Sequence, residues 1–192
     1  MQAEKGNAMT RLVRSSLVAL VAVAALSCEA RTERTDTGGV LLTVSDFDLG
    51  NITIPVSVND NLFVQAGSLT VQSVVLNPGQ ATGPLMDVEL KSYQVRYRRV
   101  DGGTRAPRPL IDSRFGNVPV NGTETINNLT LMGPEQLRNV PLSDLLNING
   151  GFDRETGSRI IKLELELTFF GRTLSGDDVS TNPVRFALDF SS

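Results

Sequence analysis

The sequence predicts an all-β chain: a single antiparallel β-sandwich with one or two short helical turns, set behind an N-terminal apolar segment. Three observations predict it. Most apolar residues fall in short runs punctuated by Gly, Pro and Asn. The clearest runs alternate apolar and polar with period two, which turns one face to a core and the other to water. About 150 residues follow the N-terminal segment without a fixed repeat or a sharp shift in composition, enough for one domain with one core.

The strand from Arg159 to Phe170 is the plainest. Ile161, Leu163, Leu165, Leu167 and Phe169 alternate with Ile160, Lys162, Glu164, Glu166 and Thr168. Its apolar side requires a facing sheet. The last strand repeats the pattern, with Val184, Phe186, Leu188 and Phe190 inward and Arg185, Ala187 and Asp189 outward. The segment Gly171 to Asp178 between them reads as turn. Val88 to Val100 is another long strand, but Val88 and Leu90 share one parity while Tyr93, Val95 and Tyr97 share the other. That phase change predicts a bulge near Ser92, and Asp101-Gly-Gly103 supplies the following turn. Further strands are expected at Val40–Phe47, Ile52–Val58, Leu69–Leu76 and Thr123–Leu131, with Pro55 favouring an edge or a break. Pro134 and Pro141 each stand near the start of a short helical run, so two short turns are expected rather than one helix.

Seven or more short strands with few helices point to an immunoglobulin-like or fibronectin type III-like sandwich. Tyr93-Gln-Val-Arg-Tyr97 followed by Asp101-Gly-Gly103 resembles the central strand of the fibronectin type III family, although the chain has no Trp. A closed barrel satisfies the same strand pattern.

At the N-terminus, Leu17 to Leu26 is the one long uncharged apolar run, preceded by Arg11 and Arg14 and followed by Ser27-Cys28. Ten helical residues span roughly 15 Å, about half of a bilayer's hydrocarbon core. Basic flank, short apolar stretch and small residues make the three-part secretory pattern, so residues 1–27 are expected to be a signal peptide. Met9 offers a second candidate start, with Met9-Thr-Arg-Leu-Val-Arg as its basic head.

Ala25-Leu26-Ser27-Cys28 resembles the lipobox of bacterial lipoproteins, with the usual order of Leu and small residue reversed. The resemblance implies cleavage before Cys28 and a diacylglycerol thioether on it. Ordinary signal-peptidase cleavage beside an incidental Cys is the alternative. A lone thiol is a liability in an oxidising compartment, which favours the acylated reading. The polar run to Gly39 has no apolar periodicity, so residues 28–39 are expected to form a flexible tether and residues 40–192 the domain.

Composition removes several chemistries. The chain has no His, so it has no Ser-His-Asp triad and no His metal ligand. One Cys makes neither an internal disulfide nor a Cys-rich zinc site. Loss of residues 1–27 removes Glu4, Lys5, Arg11 and Arg14, leaving 20 acids against 15 bases, a net charge of −5. Such a balance gives no expectation of nucleic-acid binding.

Arg96, Arg98, Arg99, Arg105 and Arg108, with Arg114 beyond them, form the candidate binding surface, since Arg forks recognise anionic glycans, headgroups or phosphate. Strand alternation places Arg96 and Arg98 opposite the tyrosines, so a solvated strand face is the competing reading. Asp177-Asp178 with Asp153 and Glu155 offer oxygens for a Ca²⁺ site, and so do Asp46 and Asp48 at a strand end. Without an EF-hand spacing, both sets read as acidic turn residues and no metal is expected. Asn77 to Pro84 lacks the Lys-Ser/Thr of a phosphate loop. Asn51, Asn121 and Asn128 open glycosylation sequons that read better as turn and strand polar residues.

The functional expectation is a non-enzymatic lipoprotein of the bacterial cell envelope, with no cofactor. It is held to a membrane by lipid on Cys28 and has a structural, adhesive or complex-accessory role. Its partners would be the membrane and an envelope protein or anionic glycan. A soluble periplasmic or secreted ligand-binding domain is the first alternative. A carboxylate-dependent glycan hydrolase is the second, because two carboxylates suffice for that chemistry.

Overall fold

The computed structural model describes residues 39–192, apart from Asn51 and Gln80. The expected signal peptide, Cys28 and the expected tether, up to residue 38, lie outside the described residues. The described chain forms strands β1 (Val40–Asp48), β2 (Val56–Ser57), β3 (Val64–Val75), β4 (Val88–Arg99), β5 (Leu110–Val118) and β6 (Thr123–Met132). Helix α1 (Pro134–Leu137) and the 3-10 turns Leu142–Leu145 and Asn147–Asn149 follow. Strands β7 (Ile160–Thr173), β8 (Asp178–Ser180) and β9 (Val184–Ser191) complete it, and the all-β expectation holds.

One sheet has the order β1-β3-β6 and the other β2-β9-β7-β4-β5, with β8 added on β7. The larger sheet curls into a half-barrel. Pairing departs from the expected antiparallel rule in two places. Val56–Ser57 runs parallel to Phe190–Ser191, and Leu42 makes an isolated parallel bridge to Thr181. That bridge ties the rim of the smaller sheet to the segment after β8.

The core lies between the inward sides of the two sheets. On β7, Ile161, Leu163, Leu165, Leu167 and Phe169 are wholly buried, each stabilising by roughly 1.5–3 kcal/mol relative to exposure. The outward side of β7 carries Glu164 and Glu166, which meet Arg98 of β4 at 2.9 Å and Arg185 of β9 at 3.0 Å. Two hydroxyls fasten the sheets across the core: Tyr93 donates to the Thr130 carbonyl at 2.9 Å and Tyr97 to the Leu131 carbonyl at 2.7 Å. Burial pushes the Tyr93 hydroxyl up to about 12, helped by nearby Asp112, and burial raises that of Tyr97 too.

The bulge in β4 stands where the phase change places it. Against β7, β4 spends an extra residue at Lys91 between Leu90 and Ser92. Against β5 the excess is on the other strand, with Arg114 and Phe115 facing the same interval. The slip returns Tyr93, Val95 and Tyr97 to the core side already used by Val88 and Leu90. The expected strand Ile52–Val58 is reduced to the two residues of β2, after Pro55, which has no N–H to donate to a ladder. The helical segment is two short turns and a third, in agreement with the paired prolines.

Candidate functional site

The densest charged constellation among the described residues gathers where β4 ends and β7 begins. Arg99, the last residue of β4, keeps the parity of Tyr93, Val95 and Tyr97, so the strand drives its side chain inward. The expectation that Arg99 belongs to an exposed surface is therefore corrected: its side chain is 2% exposed. Its guanidinium forks onto the turn residue Asp101, Nε to Oδ1 at 2.6 Å and Nη2 to Oδ2 at 2.8 Å. The same Nη2 donates to Oδ2 of fully buried Asp153 at 2.9 Å. Gly103 makes room for this arrangement, because a Cβ there would collide with the guanidinium.

Each carboxylate is further occupied. Asp101 accepts from the backbone N–H groups of Gly103 at 3.2 Å and Lys162 at 3.0 Å. Asp153 accepts from the N–H of Thr156 at 3.0 Å and its hydroxyl at 2.6 Å. Glu155 takes the N–H groups of Thr104 at 2.7 Å and Arg105 at 3.2 Å, as well as the Thr104 hydroxyl. Arg105 and Arg154 flank Asp144 of the Leu142–Leu145 turn at 3.4 Å and 3.6 Å. Three loops are thus sewn together by three guanidiniums and four carboxylates.

The electrostatics follow the geometry. Burial alone would raise the Asp153 carboxyl, but donation from Arg99, Thr156 and the backbone overrides it and holds the group down at about 2. Asp101 is lowered against the same burial penalty by Arg99 and two backbone donors. Glu155 is held at about 2 by the Thr104 side chain and backbone and by Arg105. Arg99 is raised: desolvation works against its charge, and Asp101 and Asp153 more than restore it. A general acid for glycoside hydrolysis needs a raised carboxyl, the reverse of what surrounds these three. The arrangement suits a loop lock.

The remaining arginines divide among separate settings. Arg96 is exposed on β4, its Nε donating to Gln94 at 2.9 Å, and Arg98 pairs with Glu164. Arg105 joins the lock. Arg108 is exposed beside Pro107, Glu135, Asn139 and Val140, around a cavity of about 310 Å³. Arg114 lies on β5 with its Nε buried and unpartnered. Arg96 and Arg98 thus share the outer face of β4, Arg99 and Arg105 enter the lock, and Arg108 stands in the connection after β4.

The acids that offer oxygens for Ca²⁺ do not meet. Asp153 and Glu155 precede β7, whereas Asp177 and Asp178 follow it, and its 14 residues span about 45 Å. Asp178 pairs with Arg172 at 2.7 Å, and Asp48 accepts the Gly50 N–H at 2.8 Å. Among the described residues no group of three or more acids, His or Cys is placed to hold a metal ion. Asn121, in the turn before β6, and Asn128, within β6, have φ of 55° and 53°, the left-handed conformation that Asn tolerates. Asn51 lies outside the described residues.

A second concavity, of about 390 Å³, opens where β1 ends, lined by Ile52, Phe63, Gln65, Gly67 and Asn128 among others. Sequence reading gave no sign of it. It forms where Gly50 and Gly67 approach so closely that a Cβ on Gly67 would lie 2.7 Å from the Gly50 Cα.

No protein-family model and no curated protein matches the chain. A solved structure described as "X-ray structure of Northeast Structural Genomics Consortium target SoR45" is similar over 78% of this chain and 86% of that one, at 11% identity and a TM-score of 0.37. A likeness at that score carries no argument about fold or function.

Proposed function

We propose that the chain is a bacterial envelope lipoprotein, exported by residues 1–27, acylated on Cys28 and carrying a non-catalytic domain with a structural, adhesive or complex-accessory role. The observation that carries this reading is the sequence Arg11…Arg14, Leu17–Leu26, Ser27-Cys28, in which the chain's one Cys stands at the acylation position. The site chemistry supports it. The strongest charge cluster holds Asp101, Asp153 and Glu155 ionised and hydrogen-bonded, an arrangement for fixing loops.

The domain is best described as an immunoglobulin-like sandwich. Orders β1-β3-β6 and β5-β4-β7-β9 match the A-B-E and C′-C-F-G sequences of that fold, with β2 running beside β9. Its partner is an envelope protein or anionic glycan, to which Arg96 and Arg108 offer exposed guanidiniums. The test is cell fractionation of the wild type and of Cys28→Ala. Membrane association lost in the variant supports the reading, and association fully retained defeats it.

The cavity of about 390 Å³ favours a second reading, a soluble periplasmic or secreted domain that binds a small ligand there. An N-terminal peptide bearing no acyl mass would select it.

A further inference from the structure

The end of the domain from which Gly39 leads back to Cys28 is laced into one surface. Leu76 N–H donates to the Gly39 carbonyl at 3.0 Å, and Val75 N–H to Asn121 Oδ1 at 3.1 Å. Val120, in the same turn as Asn121, donates to Asp87 Oδ1 at 2.8 Å. Asp87 and Leu85 in turn receive the N–H groups of Leu174 at 3.0 Å and Ser175 at 2.9 Å through their carbonyls. Three connections, β3–β4, β5–β6 and β7–β8, thereby share the Gly39 end. They hold up three apolar side chains: Leu76, 41% exposed, Leu85, 65%, and Leu174, 51%.

The charge at this end is as informative. Residues 76–87, 119–122 and 174–177 contain no Lys or Arg, and their two acids, Asp87 and Asp177, accept hydrogen bonds within the surface. The guanidinium lock lies at the far ends of β4 and β7.

We infer that this leucine-bearing end docks on the bilayer that holds the Cys28 lipid, an inference that rests on the anchoring reading above. Residues 28–38 are eleven in number and reach at most about 40 Å when fully extended. A link of that length confines the domain near the membrane at an effective concentration in the millimolar range, so even a weak apolar contact is populated. With no Lys or Arg within these three connections, the contact depends on inserted leucine side chains more than on anionic headgroups.

Because the chain's one Cys is the acylated residue, a Cys introduced elsewhere is the sole free thiol. Acylated Leu85→Cys, Leu174→Cys and Ile148→Cys, each carrying an environment-sensitive fluorophore, are reconstituted in phosphatidylcholine vesicles with lipid-borne quenchers. Ile148, 90% exposed on the Asn147–Asn149 turn, is the far-end control. Docking predicts quenching at 85 and 174 at least about twofold stronger than at 148, unchanged by adding phosphatidylglycerol or salt. Protein that floats with the vesicles but is quenched equally at all three positions overturns docking alone. Protein with no acyl mass on Cys28 overturns docking and anchoring together. Quenching that appears only with phosphatidylglycerol and vanishes in salt overturns the apolar mechanism.

Discussion

The Arg99 guanidinium donates to the Asp153 carboxylate at 2.9 Å with both side chains withdrawn from solvent, one 2% and the other 0% exposed. They are 54 residues apart in the chain, so this contact closes the long β6–β7 connection onto the end of β4. Removing one partner strands the other charge without water.

Arg99→Met is therefore expected to cost about 3–5 kcal/mol, read as a lowered midpoint in urea denaturation. Arg98→Met, one residue earlier but on the solvent side, should cost less than about 1 kcal/mol. Equal effects from the two would contradict the burial of Arg99.

Gly103→Ala places a methyl where the guanidinium lies and should cost about 1–3 kcal/mol. The loss must be coupled to Arg99. In an Arg99→Met background the same change should have little further effect, which a double-mutant cycle measures.

Stability should fall on acidification in a defined window. Asp153 and Glu155 have folded-state values lowered to about 2, whereas in the unfolded chain they titrate in the ordinary carboxylate range near about 4. The unfolded chain thus binds protons first as pH drops. The stabilisation is complete above about pH 5 and drains away between there and about pH 2. Denaturation curves across that range should show the decline, and Asp153→Asn should flatten it.

The chain has two tyrosines and no Trp, so its near-ultraviolet titration isolates Tyr93 and Tyr97. Both are raised by burial, Tyr93 to about 12. Native protein should show little phenolate absorbance at pH 11, about a tenth of Tyr93, while urea-unfolded protein titrates both groups near about 10. Tyr97→Phe, which loses the bond to the Leu131 carbonyl, should destabilise by about 1 kcal/mol.

How far the sequence foretold this structure depends on how each strand is used. β7 was legible because one side meets the core and the other meets water, so Ile161 to Phe169 print burial directly as alternation. β4 was legible through its broken phase. β5 was missed because it is an edge strand: Ile111 is 68% and Phe115 79% exposed, and its bulge disrupts what periodicity remains. Arg99 carried a readable signal, since it shares the parity of Tyr97. Nothing in the sequence pointed to Asp153 as its partner, because that pairing exists only once the β6–β7 connection has folded back. The Gly39-end surface was hidden for a similar reason, assembled from three connections that pattern reading treats as turns.

The central claim is that Cys28 is a site of attachment, and intact-mass analysis of the mature protein's N-terminal peptide tests it most directly. The account predicts that residues 1–27 are gone and that Cys28 begins the chain with a diacylglycerol thioether. A mature chain that begins elsewhere, or that carries Cys28 as a free thiol, would contradict it.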